Sequence, residues 1–432
     1  MSSKMGLRRL MIVFIGALIV YAMTFSFRPT TDTQLNSLQT RQLALHGNVD
    51  IASYHPVTGF YVHRGTHTYS IYGTGISIFS LPLYAILVRT SVGEPALQGI
   101  VVCSASALAF VLMLSLLMRL VSRTVAIAGS LVLGFGTTIW TTASTALWQS
   151  GPVVVLETVG LLGLFSEGQW GPFLAGFSFG AAAFIRLPMA AVAGLFLLYY
   201  LTQGRRRFVQ YLAGLLPFLI GRLAENGWLW GGLTHTGYSY EAGTFTFSNL
   251  KSGLWGELFS WRRGLFVYSP ILLLAAAALV LSLLRVRSNH DRRPFFLALA
   301  ALLILSINAA HAVWWGGERQ FGYRYLIDAV PFLVVLGALQ VERWRHVRKV
   351  AILLGLTSII FMAAGSAPNP DAWDTTFPQN LLSLSPLTHA IKAMSHNPTP
   401  VILRLGLVGA LTLILIVSTR LPRTEAPQIG AL

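Results

Sequence analysis

Long apolar runs separated by short polar segments dominate the chain. They fall at about 10–27, 96–118, 125–142, 151–166, 170–185, 187–202, 208–230, 264–284, 295–313, 325–341, 350–366 and 401–419. A helix needs ~20 apolar residues to cross a ~30 Å hydrocarbon core, and runs of this order recur to the end of the chain. The pattern predicts an all-α, polytopic membrane bundle of about twelve spans, forming one membrane-embedded domain over 1–432. Between the runs lie three long polar stretches, 28–95, 231–263 and 367–400. The first carries an extra apolar run at 74–92 that contains Pro82. The last predicts a short helix near 386–395.

Charge decides how the extra run is read. If 74–92 crossed the membrane, Arg205–Arg207 and the arginines from Arg285 to Arg293 would face outward, against the positive-inside rule. If it lies along the outer surface, the short inner loops collect over half of the 31 basic residues. The expectation is therefore twelve spans, both termini cytoplasmic, and juxtamembrane helices in an outer loop at 28–95. The same clustering accounts for the net charge of +16 and excludes nucleic acid as the partner.

Composition agrees: 54% of residues are hydrophobic and 11% charged, against about 25% charged in soluble domains. The single cysteine, Cys103, rules out an intrachain disulfide and any CxxC site. No small-residue cleavage pattern closes the run at 10–27, which reads as a retained first span. There is no Walker A sequence, no HExxH and no GxSxG elbow. The histidines show no zinc-ligand spacing.

Candidate chemistry sits in the polar stretches. Asp32 follows the first run directly, and Thr31-Asp32-Thr33-Gln34 fits a capping box with Thr31 as N-cap, opening a helix toward His46. Asp32 either stabilises that helix start or accepts a proton from a substrate hydroxyl, and the roles are compatible. The segment WWGGERQFGYRY, 314–325, has glycines for tight turns and places Arg324 at the mouth of a span, where it needs a partner. That partner is Glu318, Asp328 or a bound phosphate. Arg262 and Arg263 precede Tyr268 on the outer side, suited to an anionic ligand or to lipid headgroups. His235 and Tyr238 offer donors nearby. Arg186 interrupts two runs, Arg222 and Glu225 are spaced to neutralise each other, and Glu157 lies within a span.

Three segments in order resemble the integral-membrane glycosyltransferases of the GT-C type, within them the protein-mannosyltransferase and aminoarabinose-transferase group, glycosyltransferase family 39. They are Asp32 before TRQLALHGN (40–48), YSIYGTGISIFSLPLYAI (69–86), and RRGLFVYSP (262–270) with WWGGERQFGYRYLIDAVPF (314–332). The resemblance implies inverting transfer of a sugar from a polyprenyl-phosphate carrier to a lipid, glycan or protein acceptor, on the extracytoplasmic face of the cell membrane. Carried over, Asp32 takes the base role and Arg324 and Arg263 the phosphate. Arg262, Arg186 and Tyr268 complete the phosphate candidates. Tyr72, His235, Tyr238, Trp315 and Glu318 are the substrate candidates. The chain departs from the pattern where Thr33 follows Asp32 in place of a second acid, and where Tyr72-Gly73 replaces a lysine. A requirement for a divalent metal stays open. The alternative is a transporter or flippase for a lipid-linked or anionic substrate, which needs a polar path built on Glu157, Arg222 and Glu225.

Overall fold

Proline and glycine set the ends of many of the helices. The computed structural model describes residues 6–54, 59–241, 245–285, 291–314, 316, 320–366 and 385–419. Helix α1 (Leu7–Met23) is followed by α2 (Thr31–His46), a small hairpin of β1 (Tyr61–Arg64) and β2 (His67–Ser70), and α3 (Gly75–Leu87). Next come α4 (Glu94–Leu120), α5 (Arg123–Phe135), a π-helical turn Ile139–Ala143, α6 (Ser150–Leu164), α7 (Gly171–Ile185), α8 (Met189–Leu201) and α9 (Arg205–Trp230). The chain continues through α10 (Leu250–Phe259), α11 (Leu265–Tyr268), α12 (Leu272–Leu284), α13 (Arg293–Ala309) and α14 (Val330–Arg343). It closes with α15 (Arg348–Gly365), α16 (Pro386–His396) and α17 (Thr399–Ser418).

Thirteen of these helices fall on the twelve predicted runs, the eighth run being split into α11 and α12. Five of the helical segments are long and apolar enough to cross a membrane outright, and shorter apolar helices complete the bundle. Close approach of α7 and α9 depends on glycine. A Cβ at Gly214 would meet Phe173 O at 2.4 Å, and small residues are how membrane helices bring their backbones together. Deeper in, Phe179, Phe196 and Phe332 stack across three helices, the first two with ring centroids 4.6 Å apart.

Helix α3 lies along one end of the bundle. Its first residues are tied to α9, where Glu225 accepts the Thr74 N–H at 2.5 Å. Beyond its last turn the chain reaches Glu94, whose carboxylate accepts Tyr84 Oη at 2.9 Å. Along its length Ser77 meets Thr40 of α2 at 3.2 Å. Glu225 lies near the last turn of α9 and Glu94 opens α4, so both ends of α3 stay at the same face. Arg222 completes this joint by pairing with Glu225 and donating to Phe184 O, the neutralising role expected of that spacing.

Two expectations change. The first loop is not wholly helical: β1 and β2 pair from Tyr61–Ser70 to Arg64–His67. Asp50 anchors the hairpin, accepting the Thr68 N–H at 2.9 Å and meeting His67 Nδ1 at 2.7 Å. Second, α2 is capped one residue earlier than expected. Thr30 is the N-cap and the Thr33 hydroxyl accepts its N–H at 2.8 Å, because a threonine at the third helical position does what Gln34 was expected to do. Helix α16 begins as predicted, with Ser385 Oγ accepting the Thr388 N–H.

Candidate functional site

Asp32 and Arg324 meet across the mouth of a cavity of about 700 Å³, at the end of the bundle that carries α2 and α3. Each belongs to an element held rigidly from behind. Asp32 lies in the first turn of α2. Further along that helix, the Asn36 side-chain amide donates to Leu147 O at 3.0 Å, and Gln98 of α4 accepts the Leu147 N–H at 3.1 Å. These bonds set the position of Trp148, over whose ring the Arg324 guanidinium lies at 3.9 Å. The stack and a bond from Arg324 to Gly316 O at 3.0 Å leave the guanidinium little freedom.

The loop that delivers Arg324 is pinned by threonines around the π-helical turn. Thr138 donates to Tyr323 O at 2.7 Å, and Thr141 and Thr142 donate to Phe321 O at 3.1 and 3.2 Å. Gly322 turns the loop at φ +79°, and a Cβ there would meet Thr138 Cγ2 at 2.6 Å. The π-helical turn, rare and characteristic of functional sites, is what aims this row of hydroxyls at the loop.

A second ion pair lies beneath the first. Arg186, at the end of α7, donates to Asp328 and to Ser150 Oγ at 3.3 Å. The Tyr325 ring is held between the guanidinium groups, 5.4 Å from Arg186 and 5.2 Å from Arg324. Glu157 is fully buried nearby, and neither of its oxygens has a hydrogen-bond partner among the described residues. The remaining walls are aromatic and amide: Tyr72 against Tyr238 with centroids 6.2 Å apart, His311 edge-on to Tyr325 at 5.8 Å, and Asn308 bonded to Tyr325 O at 2.9 Å. Leu187, Pro188, Ala191 and Ile307 make one side apolar.

Burial drives the electrostatics of these walls. It pushes the Tyr72 phenol well above the ordinary tyrosine range, with the adjacent Asp32 carboxylate adding to the effect. Tyr238 is pushed up to about 12, again by burial first, with Arg186 and Arg324 pulling the other way. Both therefore remain hydroxyl donors at neutral pH. Burial lowers His311, favouring its neutral form.

Of the residues singled out in the sequence, Asp32, Arg324, Arg186, Tyr72 and Tyr238 line this one cavity. Arg262, Arg263, Tyr268 and His235 are not among its lining residues. His235 is exposed on its loop. The chain turns back at Trp261–Gly264, with Gly264 N–H bonded to Ser260 O at 2.8 Å. This buries both arginines at the turn. Tyr268 donates to Trp261 O at 3.1 Å and packs on Phe321, while Ser269 meets Tyr323 Oη at 2.7 Å. That motif thus supports the Arg324 loop from behind. Trp315 and Glu318 lie outside the described residues. Of the partners considered for Arg324, Asp328 is taken by Arg186, and Asp32 fills the place. Asn308 and His311 were missed as cavity components, and Trp148 as the ring beneath Arg324, since nothing local separates them from an interfacial aromatic belt or a helix end. Among the described residues no three His, Cys, Asp or Glu side chains cluster as metal ligands.

No protein-family model matches the chain, and no curated protein matches it. Among solved structures, ArnT from Cupriavidus metallidurans bound to undecaprenyl phosphate is similar with a TM-score of 0.52 at 12% identity, over 95% of this chain and 77% of that one. The apo state of the same ArnT gives 0.49 at 13% identity, over 94% and 76%. The Archaeoglobus fulgidus oligosaccharyltransferase in complex with zinc and sulfate gives 0.39 at 14%, over 87% and 58%. The fold is that of the GT-C membrane glycosyltransferases, as the sequence motifs led one to expect.

Proposed function

We propose that this chain is an extracytoplasmic glycosyltransferase that moves a sugar from a polyprenyl-phosphate carrier to an acceptor hydroxyl, inverting the anomeric carbon. The observation that carries the reading is the juxtaposition of Asp32 and Arg324 in one cavity. The fold is shared with ArnT, whose structure holds undecaprenyl phosphate. The apolar side of the cavity, at Leu187, Pro188, Ala191 and Ile307, suits an isoprenoid chain.

In this reading the acceptor oxygen attacks the anomeric carbon from the face opposite the phosphate. A bond forms from that oxygen to the sugar, the bond from the sugar to the phosphate oxygen breaks, and the electron pair leaves with polyprenyl phosphate. Arg324 takes the charge that develops on the leaving phosphate, a task for a planar cation that never titrates away. Asp32 takes the proton of the acceptor hydroxyl. Tyr72 and Tyr238, kept as hydroxyls, donate to sugar or phosphate oxygens.

The resting ion pair imposes an order. While Arg324 holds Asp32, the carboxylate is not free to accept a proton. A phosphate arriving at Arg324 competes for the guanidinium and releases Asp32, so donor binding precedes activation of the acceptor. The test is a reconstituted assay with polyprenyl-phosphate-linked monosaccharides. Release of polyprenyl phosphate with inversion, lost in Asp32→Asn, supports the reading. Substrate movement across vesicles without a covalent product refutes it in favour of a transporter.

A further inference from the structure

The bundle has a second polar cleft, of about 440 Å³, at the end remote from the cavity. Helices α6, α8 and α13 place residues in the first cavity near one end and in this cleft near the other. Tyr199 and Tyr200, in the last turn of α8, line it. Their rings are packed away, at 7% and 3% exposure, while the hydroxyl oxygens are not sealed and have no hydrogen-bond partner among the described residues. Arg207, in the first turn of α9, and Arg292, just before α13, also line the cleft, and both are solvent-exposed. Neither guanidinium makes a hydrogen bond or ion pair within the described residues. The third arginine is different. Arg293 grips Asp291 with two bonds of 2.8 and 2.9 Å and lies 4.8 Å from the Phe165 ring, so Asp291 is already neutralised. Glu167 is the other acid at the rim.

Two phenol hydroxyls and two guanidinium groups, none with an acceptor among the described residues, thus converge on one cleft. We propose that this cleft binds a phosphate-bearing anion, with Tyr199, Tyr200, Arg207 and Arg292 as its donors. Phosphate oxygens accept several hydrogen bonds at once, and guanidinium forks match them bidentately. Basic pockets between membrane helices take lipid headgroups, and a small soluble phosphate offers the same oxygens. The site is separate from the Asp32 cavity and does not depend on its reading.

The experiment uses the full chain in detergent. Native mass spectrometry compares retention of phosphatidylglycerol with phosphatidylcholine, and calorimetry measures binding of inorganic phosphate. Preferential retention of phosphatidylglycerol supports a headgroup as the ligand; saturable binding of inorganic phosphate supports a soluble one. The Arg207→Ala/Arg292→Ala pair weakens whichever binds by about tenfold or more, and Tyr200→Phe by a few-fold. Arg205→Ala/Arg206→Ala, which removes equal charge outside the cleft, leaves binding intact. Equal loss in that control overturns the proposal by reducing it to surface charge. So does the absence of both signals in the unmodified chain. Should the arginine double variant not fold, unchanged affinity in Tyr200→Phe overturns it as well.

Discussion

Two ion pairs of the same chemistry flank Tyr325, and they differ in access. The upper pair, Asp32 with Arg324, keeps 17% and 16% of its side-chain surface open to the cavity. The lower pair, Arg186 with Asp328, keeps 8% and 1%. A pair that a ligand can reach is exchangeable: an incoming anion takes the cation and the carboxylate is set free. In the lower pair Asp328 is sealed and Arg186 shows only its edge to the cavity, so a ligand has little to exchange, and breaking the pair strands a charge in a poorly solvated interior. The upper pair is thus suited to function and the lower one to holding the cavity floor. Ionic partners become a latch or a brace according to their burial.

The sharpest way to break this comparison is Asp32→Asn. The expected outcome is loss of transfer by about 10²–10⁴, the range for removing a general base, with folding retained. Full turnover in that variant would remove Asp32 from the mechanism. Asp328→Asn is the mirror experiment. It leaves Arg186 uncompensated and is expected to cost about 3–5 kcal/mol of stability, read as lowered thermal unfolding in detergent. The same measurement on Asp32→Asn should give a smaller loss, because Arg324 keeps 16% of its side-chain surface open and retains its bond to Gly316 O. Equal losses would show that burial does not separate them.

Smaller effects refine the upper pair. Arg324→Lys keeps the charge but loses the fork and the stack on Trp148, and should weaken donor binding about tenfold with little change in acceptor KM. Tyr72→Phe removes one hydroxyl facing Asp32 and should lower turnover by less than about tenfold.

The smallest expected effect is the pH response of His311. Burial lowers its folded-state pKa, so above the unfolded value of about 6.5 both states are neutral and the residue carries no penalty. As pH falls below about 6.5 the unfolded chain takes up the proton first, and stability declines until the folded pKa is passed. His311→Gln should flatten that decline in thermal unfolding between pH 7 and 5. An unaltered slope would assign the effect to other groups.

What the amino-acid order determined was whatever depends on neighbours along the chain. Apolar run length gave the spans, because the bilayer imposes a length. The placement of basic loops separated α3 from the crossing helices. The polar start of α2 marked Asp32, and the glycines of 314–325 marked a turning loop. What only the tertiary structure decided was which charges meet. Asp32 and Arg324 are 292 residues apart, Arg186 and Asp328 are 142 apart, and their helix neighbours gave no sign of the pairing. The same arrangement turned Arg262, Arg263 and Tyr268 away from the cavity and brought Trp148 beneath Arg324. Periodicity reports which face of a helix is buried, whereas long-range pairing follows from how helices cross and from the threonine contacts that seat each loop, and these leave no local pattern.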